Sequence, residues 1–460
     1  MSTTFKSLQF HNYRLWFTGA LVANIGTWMQ RVAQDWLVLT QLSNDSGVAV
    51  GIVTGLQFAP ALVVSPWAGV LADRVDRRKL LVVTQAAMGA LAAGLGALVL
   101  LGHAQLWHVY LFALALGVVS AIDAPARQTF VAQLVPPANL PNAVGLNSAS
   151  FNAARLIGPG VAGLLIAWIG TGWVFWINAL SFAGTILALT TMRVRELRPM
   201  PSVVRSKGQI REGLRYVRGR PDILVIMVVI GVVSAFGLNF QMTSALMART
   251  VFDKGAGQYG VLGSVLAIGS LAGALIAARR EHPRLRLVVG AAAAFGVAAC
   301  LLAVMPTYAT YALMTIPVGL ASLTMMTAAN ATIQISTEPA MRGRVMALYM
   351  MVFAGATPFG SPVVGWIGEE FGARWAVGIG GITAILVSLG AMVWAWRRLR
   401  PQVRYAPEGR LRFHVTVPPR AERAPSPDHL TGPTPEYLPE PRPEPLPEPV
   451  PEPEGSASRA

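Results

Sequence analysis

The chain has 460 residues, 53% of them hydrophobic and 13% charged. Soluble domains carry roughly 25% charged residues, so this is an integral membrane protein, and its formal charge of +15 sits at the ends of apolar runs, where it sets topology rather than nucleic-acid binding. A single cysteine, Cys300, excludes an intrachain disulfide and a cysteine-based metal cluster, and the six histidines show no ligand spacing, so no metal is expected.

Residues 1–14 form a short cytoplasmic lead-in with aromatics at the interface. No cleavable signal is expected, because the N-terminus is polar and the first apolar run is too long. Spans one to six are placed at 15–42, 48–72, 80–101, 107–126, 142–168 and 173–192, and together make an N-terminal half over 15–192. A basic cytoplasmic linker, 193–221, carries nine Lys or Arg between Arg193 and Arg220, with an amphipathic helix near Ile210–Val217. Spans seven to twelve follow at 222–248, 257–278, 285–305, 308–331, 343–367 and 375–396, the C-terminal half over 222–396. The tail, 397–460, is rich in Pro and Glu and is expected to be a disordered cytoplasmic extension.

The cations follow parity. Lys6, Arg14, Arg74–Lys79, Arg127, the linker, Arg279–Arg286, Arg342, Arg344 and Arg397–Arg400 fall on one side, and Arg249, Lys254 and Arg374 on the other. This implies an even number of spans with both termini cytoplasmic. The halves also repeat: Gln133 matches Gln334, Pro159 matches Pro362, and Ala68–Arg74 is echoed at Ala272–Arg279 without its Asp. Twelve transmembrane helices in two pseudo-symmetric six-helix halves is the all-α integral-membrane layout expected of a rocking transporter.

Between spans two and three stands Gly69-Val70-Leu71-Ala72-Asp73-Arg74-Val75-Asp76-Arg77-Arg78. It resembles the signature loop of the major facilitator superfamily, with Asp76 where a Gly is usual. The resemblance implies a conformational latch of Gly69, Asp73, Arg74, Arg77 and Arg78, in which Asp73 faces the start of span eleven and Arg77 relays to Asp123 in span four. Asp123 could instead simply pair with Arg127 one turn on. Gly158-Pro159 with Gly163 in span five resembles the antiporter motif of the superfamily, which implies export; a generic proline kink is the alternative. Trp28–Leu37 resembles span one of the siderophore- and macrolide-exporter branch.

In span one, Asn24, Thr27, Arg31 and Asp35 share a helical stripe. Such a stripe faces a cavity or a partner helix rather than lipid; alternatively Arg31 and Asp35 form a structural pair in the outer headgroup region. Asp35, paired with Arg31, is the proton-coupling candidate. Asn147, Asn152 and Arg155 are polar positions in span five, Arg155 being either structural or a contact for an anionic substrate. Asn239, Gln241, Asn330 and Gln334 are expected to bond between helices.

No Gly-x-x-x-x-Gly-Lys-[Ser/Thr] motif occurs, which excludes ATP-driven export within this chain. The expected function is export of an amphipathic small molecule, drug or siderophore, by proton antiport across a bacterial cytoplasmic membrane. No enzymatic activity, cofactor, nucleotide or nucleic acid is expected; the partners are the substrate and the lipid bilayer, and the chain is expected to act as a monomer. The alternatives are an importer or facilitator of the same fold, or a transport-dead sensor or scaffold.

Overall fold

The computed structural model describes residues 3–198, 209–278, 285–399, 402–405 and 413–416; within α2 the side chain of Asp73 lies outside the described residues. The first half comprises α1 (His11–Leu37), α2 (Gly47–Arg74), α3 (Arg77–Leu100), α4 (Leu106–Leu134), α5 (Leu140–Ile169) and α6 (Thr171–Thr191). The linker holds α7 (Gln209–Gly219). The second half comprises α8 (Pro221–Phe236), α9 (Phe240–Leu246), α10 (Ala256–Ala278), α11 (Leu285–Ala303), α12 (Tyr308–Ser336), α13 (Pro339–Glu370) and α14 (Ala373–Leu399). Among the described residues, eleven helical segments are long and apolar enough to cross a membrane. The 27-residue α1 is long enough but stands outside that set. Its stripe of Asn24, Thr27, Gln30, Arg31, Gln34 and Asp35 is the reason.

The seventh span is broken where one helix was expected. α8 stops at Phe236 and α9 begins at Phe240. Asn239 Nδ2 donates to the Ala235 carbonyl at 2.7 Å, inside its own span rather than to another helix. Asn330 and Gln334 likewise bond each other along α12. Short polar side chains satisfy nearby backbone or the next turn more readily than a distant helix.

Glycines at positive φ close two matching turns. Gly170 (φ 83°) joins α5 to α6, and Gly372 (φ 96°) joins α13 to α14. Their offset, 372 − 170 = 202, continues the internal repeat. Neither position has an atom within 4 Å of a would-be Cβ, so backbone conformation alone calls for glycine there.

The basic end of each half is tied by polar contacts. Tyr13 Oη donates to the Ala143 carbonyl at 2.8 Å, and Asn12 exchanges two 2.9 Å bonds with the Arg193 backbone. Arg78 donates to the Leu189 and Thr190 carbonyls, placing a cation at the C-terminus of α6, where the helix dipole favours it. The linker helix α7 joins the second half: Glu212 pairs with Arg344 at 2.9 Å, and the Glu338 N–H donates to Tyr216 Oη.

The two halves meet at the opposite end. There α2 crosses α13 with backbone almost on backbone. A Cβ on Gly47 would come within 2.6 Å of the Gly365 carbonyl oxygen, and one on Gly51 within 2.4 Å of that of Ser361. α5 crosses α10 in the same way: a Cβ on Gly260 would meet the Pro159 carbonyl oxygen at 2.3 Å, and one on Gly163 that of Ala256 at 2.5 Å. Ser361 Oγ donates to the Gly51 carbonyl, Ser46 Oγ to Glu369, and Arg249 pairs with Asp45 at 3.2 Å.

Toward the basic end the halves part. Pro159 packs on Gly260 and Gly263 of α10, while Val144, Ser148 and Phe151, on the same face of α5, are exposed. Nothing lies within 4 Å of a would-be Cβ on Gly145. One helix face therefore passes from contact to open cleft along its length.

The tail departs from the expectation of a structureless segment starting at 397. α14 continues to Leu399, and β1 (Gln402–Tyr405) pairs antiparallel with β2 (Phe413–Thr416). The Pro-Glu repeat at 439–454 lies outside the described residues.

Gly260→Ala tests the closure. The added methyl has only backbone to meet, so the variant should open that end. In a Cys300→Ala background, a cysteine at the buried Ser361 should react about tenfold faster with a membrane-impermeant maleimide, the factor set by about 1.4 kcal/mol of lost closure. An unchanged labelling rate would show that the α5–α10 crossing does not hold the end shut.

Candidate functional site

The site lies where the open cleft reaches the closed end. Asp35, on the last turns of α1, is 3% exposed. Its Oδ2 accepts from Tyr259 Oη at 3.4 Å, and Trp36 stacks on the Tyr259 ring at 5.8 Å and 20°. Tyr259 belongs to α10, so this contact joins the two halves. Arg31 is not within ion-pair distance of Asp35, contrary to the sequence expectation. Its guanidinium lies over Trp28 at 5.1 Å and over Phe58 at 5.4 Å. Planar aromatic faces are close enough to hold that cation by their quadrupoles.

Arg155, from α5, lies over the same Trp28 ring at 5.7 Å, and Phe151 meets that ring edge-on. Neither Arg31 nor Arg155 makes a hydrogen bond or ion pair among the described residues. Thr27 donates to the Ala23 carbonyl and Asn152 to that of Ser148, each within its own helix. Asn24 and Asn147 are half-buried. The stripe is thus brought together at Arg31 and Asp35, and joined there by Arg155.

Gly158, Pro159 and Gly163 each have a packing duty. A Cβ on Gly158 would lie 2.6 Å from the Trp28 Cβ, so Gly158 lets α1 approach α5 and seats the indole. Pro159 and Gly163 face α10. Ser264 Oγ donates across the halves to the Leu156 carbonyl at 2.8 Å, beside the turn in which Pro159 supplies no N–H.

Asp123, 4% exposed, accepts from Thr84 Oγ1 at 2.6 Å, Gln85 Nε2 at 3.0 Å and Arg127 Nε at 3.0 Å. Arg127 also lies over Trp16. In this conformation, open at the basic end, Asp123 therefore has Arg127 as partner. Arg77 is buried at the start of α3 and Arg74 is exposed. Gly69 lies in the last turns of α2; the Asp73 side chain is outside the described residues. Asp76 accepts from the Arg78 and Lys79 N–H groups and so N-caps α3. That explains a carboxylate where the superfamily loop has Gly: such a cap stabilises a helix by about 1 kcal/mol.

Sequence reasoning missed Tyr259 and Phe58, and gave Trp28 a place in a motif but no contact with Arg31 or Arg155. It also missed a buried bond from Asn178 of α6 to Gln30 of α1. A phenol in the first turn of an apolar helix, beside Gly260 and Gly263, is the signal that could have singled out Tyr259.

A profile of the transmembrane secretion effector family matches residues 2–416. The chain belongs to that family, within the major facilitator superfamily. It is 23% identical to the staphyloferrin A transporter of Staphylococcus aureus over 82% of this chain and 94% of that one. It is 28% identical to the multidrug efflux pump Tap of Mycolicibacterium fortuitum (77% and 88%) and 25% identical to the enterobactin exporter EntS of Escherichia coli (72% and 78%). The fold is shared with the D-xylose–proton symporter (TM-score 0.65, 13% identity, 83% of this chain and 96% of that one). It is also shared with a bacterial homologue of the lysosomal transporter Spinster in an inward-facing conformation (0.63, 14%, 83% and 95%). The protein is a multi-pass membrane transporter of the major facilitator fold.

Tyr259→Phe keeps the stack on Trp36 and removes the bond to Asp35. It should fold normally and weaken closure by about 0.5–1.5 kcal/mol, read as faster maleimide labelling at a cysteine replacing Ser361. Labelling at the wild-type rate would mean that the hydroxyl contributes nothing to closure.

Proposed function

We propose that this protein exports amphipathic small molecules by alternating access and proton antiport, with Asp35 as the coupling group. The carrying observation is the position of Asp35: a carboxylate buried among the spans, whose hydrogen bond comes from the opposite half. Its protonation state and the contact between halves are thereby linked. The basic end is taken as cytoplasmic, since Lys and Arg near span ends are retained there. The open cleft then loads substrate from the cytoplasm.

In this cycle, parting of α1 from α10 withdraws Tyr259 and exposes Asp35 to outside water. Asp35 takes up a proton as the substrate leaves. Neutral Asp35 is cheaper to bury than the anion, which favours reclosure. Once the cleft is open inward, the proton passes to the cytoplasm. The signature loop acts in the other state: Asp73 faces the N-terminus of α13 when the basic end is shut, a contact worth roughly 0.3–2 kcal/mol. Arg77 and Asp123 relay it. The names of the relatives, efflux pump and exporter, support the outward direction.

Everted vesicles assayed with dyes, macrolides and siderophores, with and without a proton uncoupler, test this reading. Wild type should accumulate substrate, and the uncoupler should stop it. Asp35→Asn, which mimics the protonated form, should still exchange substrate downhill but should build no gradient. Accumulation by Asp35→Asn with wild-type pH dependence would move the coupling site elsewhere.

Asp73→Asn should reach the membrane folded and lose most of its turnover. Near-normal turnover would reduce the loop to a topological signal. Deleting residues 401–460 should leave transport intact; a scaffold acting through its tail would lose its function.

A further inference from the structure

The cleft holds two guanidinium groups without a counter-charge in contact. Arg31 and Arg155 share one indole, at 5.1 and 5.7 Å. Both are half-buried, and none of their nitrogens is among those sealed from solvent without a partner. The neighbouring carboxylate, Asp35, one turn from Arg31, attracts it across a gap beyond ion-pair distance and takes its one hydrogen bond from Tyr259. The rings around the pair are apolar: Trp28, with Phe58 on the Arg31 side and Phe151 against the indole.

Charged side chains within a membrane protein pair with one another or line a pathway. These two are held by aromatic faces instead. A guanidinium lying over a ring leaves the N–H groups along its edge free, and that edge matches a carboxylate or phosphate in bidentate fashion.

We propose that Arg31 and Arg155 form a clamp for an anionic group, carboxylate or phosphate-like, on the transported molecule, with Trp28, Phe58 and Phe151 holding its apolar part. The substrate class is thus an amphipathic organic anion rather than a lipophilic cation. The transported character of the ligand rests on the export reading above; the clamp itself does not.

The test is equilibrium binding of 1-pyrenebutyric acid and of its methyl ester to the full chain in a neutral detergent. The acid should bind about tenfold more tightly than the ester, as expected of charge-assisted bonds. Arg31→Gln and Arg155→Gln should each erase that preference while leaving ester binding unchanged, and Arg155→Lys should restore part of it. Equal binding of acid and ester by wild type would overturn the clamp without recourse to any variant, as would a preference surviving in both glutamine variants.

Nanodiscs separate the two sources of such an anion. Loss of the acid's preference in phosphatidylglycerol, with retention in phosphatidylcholine, would assign the clamp to a lipid headgroup and overturn the substrate assignment. An acid preference with no export in vesicles would sink the export reading and leave the clamp standing. Export of cationic dyes with no acid preference would do the reverse.

Discussion

Backbone-to-backbone contact between helices of opposite halves is the constraint on which the rest of this structure depends. Lipid offers no hydrophobic drive for one apolar helix to leave its tails for another, so association rests on close packing and hydrogen bonds. Gly47, Gly51, Gly163 and Gly260 remove the side chains that would hold α2 from α13 and α5 from α10. Ser361 and Ser264 then reach carbonyls across each crossing. Such a contact is steeply dependent on distance: it is made or broken, not stretched.

The placement of charge follows from the same medium. At the closed end Arg249 is answered by Asp45, and Arg374 by the Ala303 and Met305 carbonyls. At the basic end Asp123 is enclosed by three donors, and Arg78 completes a helix terminus. Asp35, with one long hydrogen bond, and Arg31 and Arg155, with aromatic faces in place of hydrogen bonds or ion pairs, differ from these. These three lie near one another on α1 and α5, Asp35 one turn from Arg31 and Arg155 over the same indole as Arg31.

The Gly158-Pro159 and Gly163 segment of α5 shows how one short sequence can serve several neighbours. Gly158 faces α1 and Gly163 faces α10, with Pro159 between them. The glycine on one side seats Trp28, on which both guanidinium groups lie. The glycine on the other closes the far end of the cleft. A change in either helix crossing therefore reaches the residues of the site through α5.

Much of this was legible in the chain. Hydropathy with the ~20-residue requirement of a bilayer determined the helices, since backbone groups in lipid must be satisfied within the segment. The internal repeat determined two halves, and the helical spacing of Asn24, Thr27, Arg31 and Asp35 determined that they share a face. Periodicity is a property of one helix and needs no neighbour to be read. What lies across from that face was a different matter. That Asp35 meets Tyr259 rather than Arg31, that Arg31 and Arg155 share an indole, that Asp123 takes Arg127 in this conformation, and that the seventh span breaks at Asn239 depend on how helices far apart in sequence are brought side by side. Those pairings are set by packing, where a glycine in one half answers a carbonyl in the other, and only the tertiary structure decided them.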